Sequence, residues 1–229
     1  MSARNSPVIV FDLDGTLADT APDLIDVLNT ILAPEGCGDT QLSEARELIG
    51  AGMKTLIERA LAKHGRAVSS ERLEELYQEF LQHYEKNICN KTTLFPGVFK
   101  ALSDLQKKKY HLAVCTNKTE KLSVELLQQL KIDSFFSAIC GRDTFPFFKP
   151  DPRHLLSTVE KAGGNNSCAV MVGDSQTDIV TAQAADIPVI AVPFGYTTEP
   201  VENFRPTRII QHFDKLLQAV EDVLGTHKL

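Results

Sequence analysis

The sequence has no concentration of basic residues. Its 24 lysines and arginines are interspersed with 30 aspartates and glutamates over 229 residues, for a formal net charge of −6. The densest basic run, Lys107 to Lys109, reads as a solvated helix end, so no stretch has the electrostatic footprint of a nucleic-acid binder. Paired cysteines are missing too. Cys37, Cys89, Cys115, Cys140 and Cys168 are odd in number, scattered and free of any CxxC, and none of the six histidines pairs with another at metal spacing. That excludes a disulfide framework and a zinc site. Nor is there a long apolar run: Met1 to Pro7 is polar and leads into a short apolar segment ending at Asp12, too short for a signal peptide or a membrane span. The expectation is a soluble cytoplasmic protein, monomer or homodimer, with a small-molecule partner and neither a nucleic-acid nor a membrane partner. No internal repeat or low-complexity segment is visible.

What is present is a rhythm. Short runs rich in β-branched residues recur at Val8–Phe11, His111–Cys115, Phe136–Cys140, Ala169–Val172 and Val189–Val192, with Arg208–Ile210 as a short edge candidate. Near-continuous apolar runs of this length predict strands buried on both faces. Helical patterns alternate with them, at Val98–Gln106, Leu122–Leu130, Arg153–Lys161, Asp178–Ala185 and Phe213–Leu224. Alternating strands and helices predict an α/β fold with a doubly wound parallel sheet. Residues 20–91 break the rhythm, with no convincing strand and three helical stretches, Leu24–Leu32, Ser43–Leu61 and Ser70–Tyr84. The expected organisation is a core of residues 1–19 and 92–229, with a small α-helical domain of residues 20–91 inserted after the first strand.

The carboxylates sit where such a sheet binds ligands. Asp12 and Asp14 follow the first predicted strand and, two apart on extended backbone, point to one side; ligand sites of open α/β sheets lie at the carboxyl ends of the strands. Two like charges there need a cation or a raised pKa, and either suits a nucleophile beside a proton carrier. Asp174 ends the fourth predicted strand, and Asp178 lies where the next helix is expected to begin. Hard oxygen donors without histidine or cysteine point to Mg²⁺, which prefers octahedral bonds of roughly 2.0–2.1 Å. Thr116 and Asn117 end the second predicted strand with hydrogen-bond donors, Lys149 in the turn Lys149-Pro150-Asp151-Pro152 offers a point charge for a phosphoryl oxygen, and Gly15 lets backbone approach an anion. Plainer readings stand beside these. Lys149 alone is a surface lysine, Asp178 alone a helix cap, Lys54 an exposed helix lysine, Cys115 inert core and Tyr196 loop packing. Gly50 and Gly52 either break a long helix or form a loop whose N–H groups face a ligand.

Taken in order, Asp12-x-Asp14-Gly15-Thr16, Thr116, Lys149 and Gly173-Asp174-x-x-x-Asp178 resemble the four motifs of the haloacid dehalogenase superfamily, over essentially the whole chain. The resemblance implies a Rossmann-like core with a helical cap that closes over the site. It implies Asp12 as nucleophile on phosphorus, Asp14 as acid and then base, and Thr116 and Lys149 as holders of the phosphate. It also implies Mg²⁺ bound by Asp12, Asp174 and the backbone carbonyl of Asp14, with Asp178 in the outer shell. Superfamily members that dehalogenate lack the second aspartate, so Asp14 argues for phosphate ester chemistry. Within the superfamily the sequence resembles the phosphoglycolate phosphatase subgroup through residues 17–24, Ile49-Gly50-Ala51-Gly52, Arg59-Ala60-Leu61 and Phe194-Gly195-Tyr196; Thr119, Arg142, Phe148 and Thr197 depart from its pattern. The implied reaction is hydrolysis of a small phosphate monoester such as 2-phosphoglycolate through a phospho-aspartyl intermediate. Alternatives are a phosphosugar mutase, a pyrophosphate or nucleotide hydrolase of the same superfamily, and a regulatory binding protein on the same scaffold.

Overall fold

In a computed structural model describing residues 6–44, 49, 52–197 and 199–226, the apolar runs form a single parallel sheet. β1 is Val8–Phe11, and β2 (Ala18–Asp19) and β3 (Thr93–Leu94) form a separate antiparallel ribbon. β4 (His111–Cys115), β5 (Ala138–Cys140), β6 (Ala169–Gly173), β7 (Val189–Ala191) and β8 (Arg208–Ile209) complete the sheet, in the order β5-β4-β1-β6-β7-β8. The chain starts in the centre, builds one flank through β4 and β5, then returns to build the other. The reversal falls beside β1, the topological switch point at which such sheets bind ligands.

The period-2 alternation of a strand sorts side chains between two apolar layers. Ile9, Phe11, Leu112, Val114, Val170, Val172 and Ile190 face one layer; Val8, Val10, Ala113, Cys115, Ala169, Met171 and Val189 face the other. With both faces covered, near-continuous hydrophobic strands are the only ones that fit, which is why composition exposed them.

α1 (Ala21–Leu32), α2 (Met53–Lys63) and α3 (Ser70–Lys86) all lie between β2 and β3. α4 (Val98–Lys107), α5 (Glu120–Gln129), α6 (Pro152–Lys161), α7 (Gln176–Ala184) and α8 (Leu216–Thr226) accompany the sheet. Leu102 and Leu105 of α4, Leu126 and Leu127 of α5 and Val220 of α8 join the first layer, while Leu155 and Val159 of α6 and Ile179 and Ala182 of α7 join the second. No described helix is long and apolar enough to cross a membrane.

Several expected boundaries need correction. The single helix expected over Ser43–Leu61 is not continuous. Residues 42–44 are helical, residues 45–48, 50 and 51 lie outside those described, and α2 starts only after Gly52, whose φ of +96° no helix admits. The third strand is shorter than expected, because Asp133–Phe135 makes a 3₁₀ turn that ends on Phe136. A 3₁₀ turn at Phe213–Lys215 likewise precedes α8. α7 begins at Gln176, so Asp178 is its third residue and Ser175 its N-cap. The β2–β3 ribbon, not foreseen in the sequence, joins the two points where the chain leaves and re-enters the sheet region.

Candidate active site

Parallel register brings three strand ends together. Phe11 pairs with Val114 on one side and Val172 on the other, so the residues that follow, Asp12, Thr116 and Asp174, emerge side by side on the same edge of the sheet. Ladder bonds continue past the strands and fix their backbones: Asp12 N–H donates to Val172 O (2.9 Å) and Thr116 N–H to Cys140 O (3.0 Å). Lys149 arrives from the loop after β5. The cleft they line is completed on its far side by Leu24, Ile49, Gly52, Met53 and Leu56 from the inserted segment.

Lys149 is the electrostatic pivot. Its Nζ donates to Asp178 Oδ1 at 2.6 Å and pairs with Asp12 Oδ1 at 2.9 Å, with the lysine side chain 2% exposed. Burial alone would favour the neutral amine, but the two carboxylates outweigh it and hold the ammonium well above the usual lysine range. Asn117 steadies the same loop by donating its side-chain amide to Lys149 O at 3.0 Å.

Asp178 is the strut beneath. Its Oδ2 accepts from Asp174 N–H (3.2 Å), Ser175 N–H (3.1 Å) and Ser175 Oγ (2.6 Å), and Ser175 Oγ accepts from Asp178 N–H in return, a capping box at the start of α7. Cap and charge partner are thus one residue. With Oδ1 on Lys149 and Oδ2 on the α7 cap, Asp178 acts on the cleft through Lys149.

Asp174 is lodged between two glycines. A Cβ on Gly15 would stand 2.5 Å from Asp174 Oδ2, and one on Gly195 2.2 Å from it, so only glycine fits at either position. Thr16 Oγ1 donates to Asp174 Oδ1 and Tyr196 N–H to Oδ2, both at 2.6 Å. Gly15 N–H donates to Ala18 O at 2.9 Å, and the room its missing side chain leaves is taken by the Asp174 carboxylate.

The donor set fits a hard divalent cation. One oxygen each from Asp12, Asp174 and Asp178 lie within 4.8 Å of one another. Burial, with repulsion from Asp178, pushes the Asp12 carboxyl up to about 6 although Lys149 opposes it. Burial and repulsion from Asp178 and Asp12 push Asp174 well above the ordinary carboxylate range, against the donors from Thr16 and Tyr196. Buried carboxylates that resist ionisation side by side are stabilised as anions by a cation between them.

Asp14 stands slightly apart, its carboxylate gripped by Lys118 Nζ at 2.9 and 3.1 Å. Thr116 Oγ1 accepts from Lys118 N–H at 3.2 Å, which leaves the threonine proton for a ligand in the cleft. Sequence reasoning passed over Lys118, gave Thr16 no role beyond its place in the first motif, and read Tyr196 as loop packing. The one available signal for Lys118 was its place directly after the strand-end pair Thr116-Asn117. Tyr196 does more than pack: its hydroxyl donates to Asp19 Oδ1 (2.6 Å) and accepts from Ala21 N–H (2.7 Å). Cys115 is inert, its thiol pushed up to about 12 by burial.

Known proteins resemble this chain in sequence and in fold. A family described as haloacid dehalogenase-like hydrolase matches residues 9–192. A phosphoglycolate phosphatase of Mesorhizobium japonicum is 50% identical over 210 residues, 92% of each chain. Another, from Agrobacterium fabrum, is 41% identical over 219 residues, 96% of this chain and 94% of that one. Among solved structures, a predicted phosphoglycolate phosphatase from Haemophilus somnus superposes with a TM-score of 0.87 at 29% identity, covering 96% of this chain and 99% of its own.

Proposed function

This chain belongs to the haloacid dehalogenase-like hydrolases, and from that premise we propose that it is a Mg²⁺-dependent phosphatase acting on small phosphate monoesters, 2-phosphoglycolate first among them. The observation that carries the reading is the pairing in one cleft of a carboxylate neutralised by a buried lysine, Asp12 with Lys149, and a second carboxylate, Asp14, two residues on. The substrate follows from the name shared by relatives up to 50% identical.

In this reading Asp12 attacks phosphorus in line while the bond to the ester oxygen breaks. Asp14 delivers a proton to the departing alkoxide, so glycolate leaves as the neutral alcohol. Asp14, now a carboxylate, takes a proton from water as that water attacks the phospho-aspartate, releasing inorganic phosphate and restoring Asp12. The Thr116 hydroxyl and the Lys149 ammonium hold phosphoryl oxygens throughout. Asp12, Asp174 and the backbone carbonyl of Asp14 would hold Mg²⁺, with Asp178 behind them. When bound, the ion neutralises the phosphate charge and orders the ester beside Asp12.

Residues 20–91 serve as a cap over the core of 1–19 and 92–229. Leu24, Met53 and Leu56 form its wall of the cleft, and closure would shut out bulk water while leaving the one attacking water beside Asp14.

Phosphate release with Mg²⁺ across 2-phosphoglycolate, sugar phosphates, nucleotides and pyrophosphate tests the assignment. The expected profile is a clear preference for 2-phosphoglycolate, abolished by EDTA and by Asp12→Asn. Full turnover in Asp12→Asn would move the nucleophile elsewhere. Undiminished activity in EDTA would remove the metal, and a preference for another ester would replace the substrate.

A further inference from the structure

Lys118 has no part in the chemistry described above, yet its side chain is fully buried and held at its charged end. Its side chain has 0% exposure while that of Asp14 is 19% exposed. Its ammonium meets both oxygens of Asp14, at 2.9 and 3.1 Å, and lies 4.6 Å from the ring centroid of Tyr84 in α3. The backbone is pinned as firmly. Lys118 N–H donates to Thr116 Oγ1, Lys118 O accepts from Arg142 N–H at 2.9 Å, and α5 starts two residues later.

We propose that Lys118 is a positioning residue that fixes the orientation of the Asp14 carboxylate for proton transfer, with Tyr84 of the inserted helices sealing the ammonium from water. This rests on the reading of Asp14 as acid and base given above.

The geometry separates Lys118 from a phosphate ligand. Lys118 borders the cleft, but its side chain is fully buried, and the ammonium is engaged by Asp14 on one side and by the aromatic face of Tyr84 on the other. A carboxylate at a strand end turns freely about its terminal torsion. A two-point contact from a rigidly held cation stops that rotation, so the same oxygen faces the ester in both half-reactions. Lys149 and Lys118 then divide the work, the first governing the nucleophile and the phosphate, the second governing the proton carrier. Tyr84 makes the arrangement depend on the inserted segment, because without its ring the ammonium would be hydrated.

The test compares leaving groups. An alkyl ester such as 2-phosphoglycolate expels a basic alkoxide and needs the proton. p-Nitrophenyl phosphate expels a stable phenolate and does not. Because kcat/KM reports only steps through phosphorylation of Asp12, the shared dephosphorylation step drops out. Lys118→Met in the full-length protein with Mg²⁺ should lower kcat/KM for 2-phosphoglycolate by about 10²-fold, within the range of general acid catalysis, and for p-nitrophenyl phosphate by no more than a few fold. Lys118→Arg, which keeps a two-point donor, should recover part of the difference. Tyr84→Leu leaves both charged groups in place and should shift the same ratio in the same direction by several fold, which keeps the proposal testable if Lys118→Met does not fold. Equal losses on the two esters, or none, would overturn the role of Lys118. A wild-type protein that hydrolyses neither ester would overturn the reading of the site itself, and Lys118 with it.

Discussion

At the scale of single residues the site gathers buried carboxylates that burial and mutual repulsion hold against ionisation. Burial and Asp178 raise Asp12 from 3.8 to about 6, so the folded state binds its proton more tightly than the unfolded chain does. The sign follows. Below 3.8 both states are protonated and the folded protein has the full benefit of the neutral carboxyl. That benefit disappears as pH rises from 3.8 through 6, and above 6 the ionised Asp12 costs on the order of 1–3 kcal/mol. Asp12→Asn replaces the charge with a neutral isostere, and Asp178 remains to hold Lys149. In EDTA the variant should therefore melt higher than wild type at pH 8, with the gap closing as pH falls toward 4. Added Mg²⁺ should raise the wild-type Tm more than that of the variant. A variant that melts lower at pH 8 in EDTA would mean that the Asp12–Lys149 pair outweighs its desolvation. Asp12, Asp14, Thr116 and Asp174 were visible in the sequence because each sits at or just beyond a strand end whose apolar run is local, and Lys149 because of the proline-rich turn that carries it after β5. The contacts of Lys118, Thr16 and Tyr196 were not, because their partners lie 104, 158 and 177 residues away, and contacts of that span leave no periodic trace.

At the scale of elements, a strand that must be apolar on both faces announces itself, whereas a two-residue strand does not. β2 and β3 are too short to show alternation, and their pairing is set by where the inserted helices begin and end. The helical pattern over Ser43–Leu61 is interrupted at Gly52, one of the two glycines that offered a break, because its positive φ lies outside any helix. α7 shows how an element end becomes part of the site. Its Ser175 cap bonds Asp178, and Asp178 in turn holds Lys149. Ser175→Ala removes one acceptor and one donor and should cost about 1 kcal/mol, lowering Tm by roughly 2–4 °C in a protein of this size. Ser175→Thr should retain most of the stability. Because the cap also orients the partner of Lys149, Ser175→Ala should reduce phosphate turnover as well. A calorimetric loss with unchanged kcat would separate the helix cap from the charge network.

At the scale of the whole molecule, the question is how the inserted helices are tied to the sheet edge they overhang. Tyr196 does this at one end. Its N–H holds Asp174, while its hydroxyl, buried with the rest of the side chain, crosses to Asp19 in β2 and to the first residue of α1. Burial, with Asp19 as acceptor, raises the phenol far above its ordinary range, so it stays protonated and keeps both bonds. Asp23 makes a second tie within the insert, accepting from Lys91 N–H, Thr92 N–H and Thr92 Oγ1 at 2.7–3.0 Å. The two ties differ in what they connect. Asp23 joins the outgoing linker to the returning one, whereas Tyr196 joins the outgoing linker to the sheet edge that carries Asp174. Tyr196→Phe deletes the hydroxyl and leaves the backbone donor to Asp174 untouched. Affinity for Mg²⁺, measured by calorimetry, should therefore stay within about twofold, while the unpaired Asp19 and Ala21 N–H cost about 1–3 kcal/mol locally. That loss should appear as faster hydrogen exchange over residues 18–24 and 91–95 and as a higher KM for 2-phosphoglycolate. Unchanged exchange would show that the linker is held elsewhere, and a large fall in Mg²⁺ affinity would show that the hydroxyl, and not the backbone, secures Asp174.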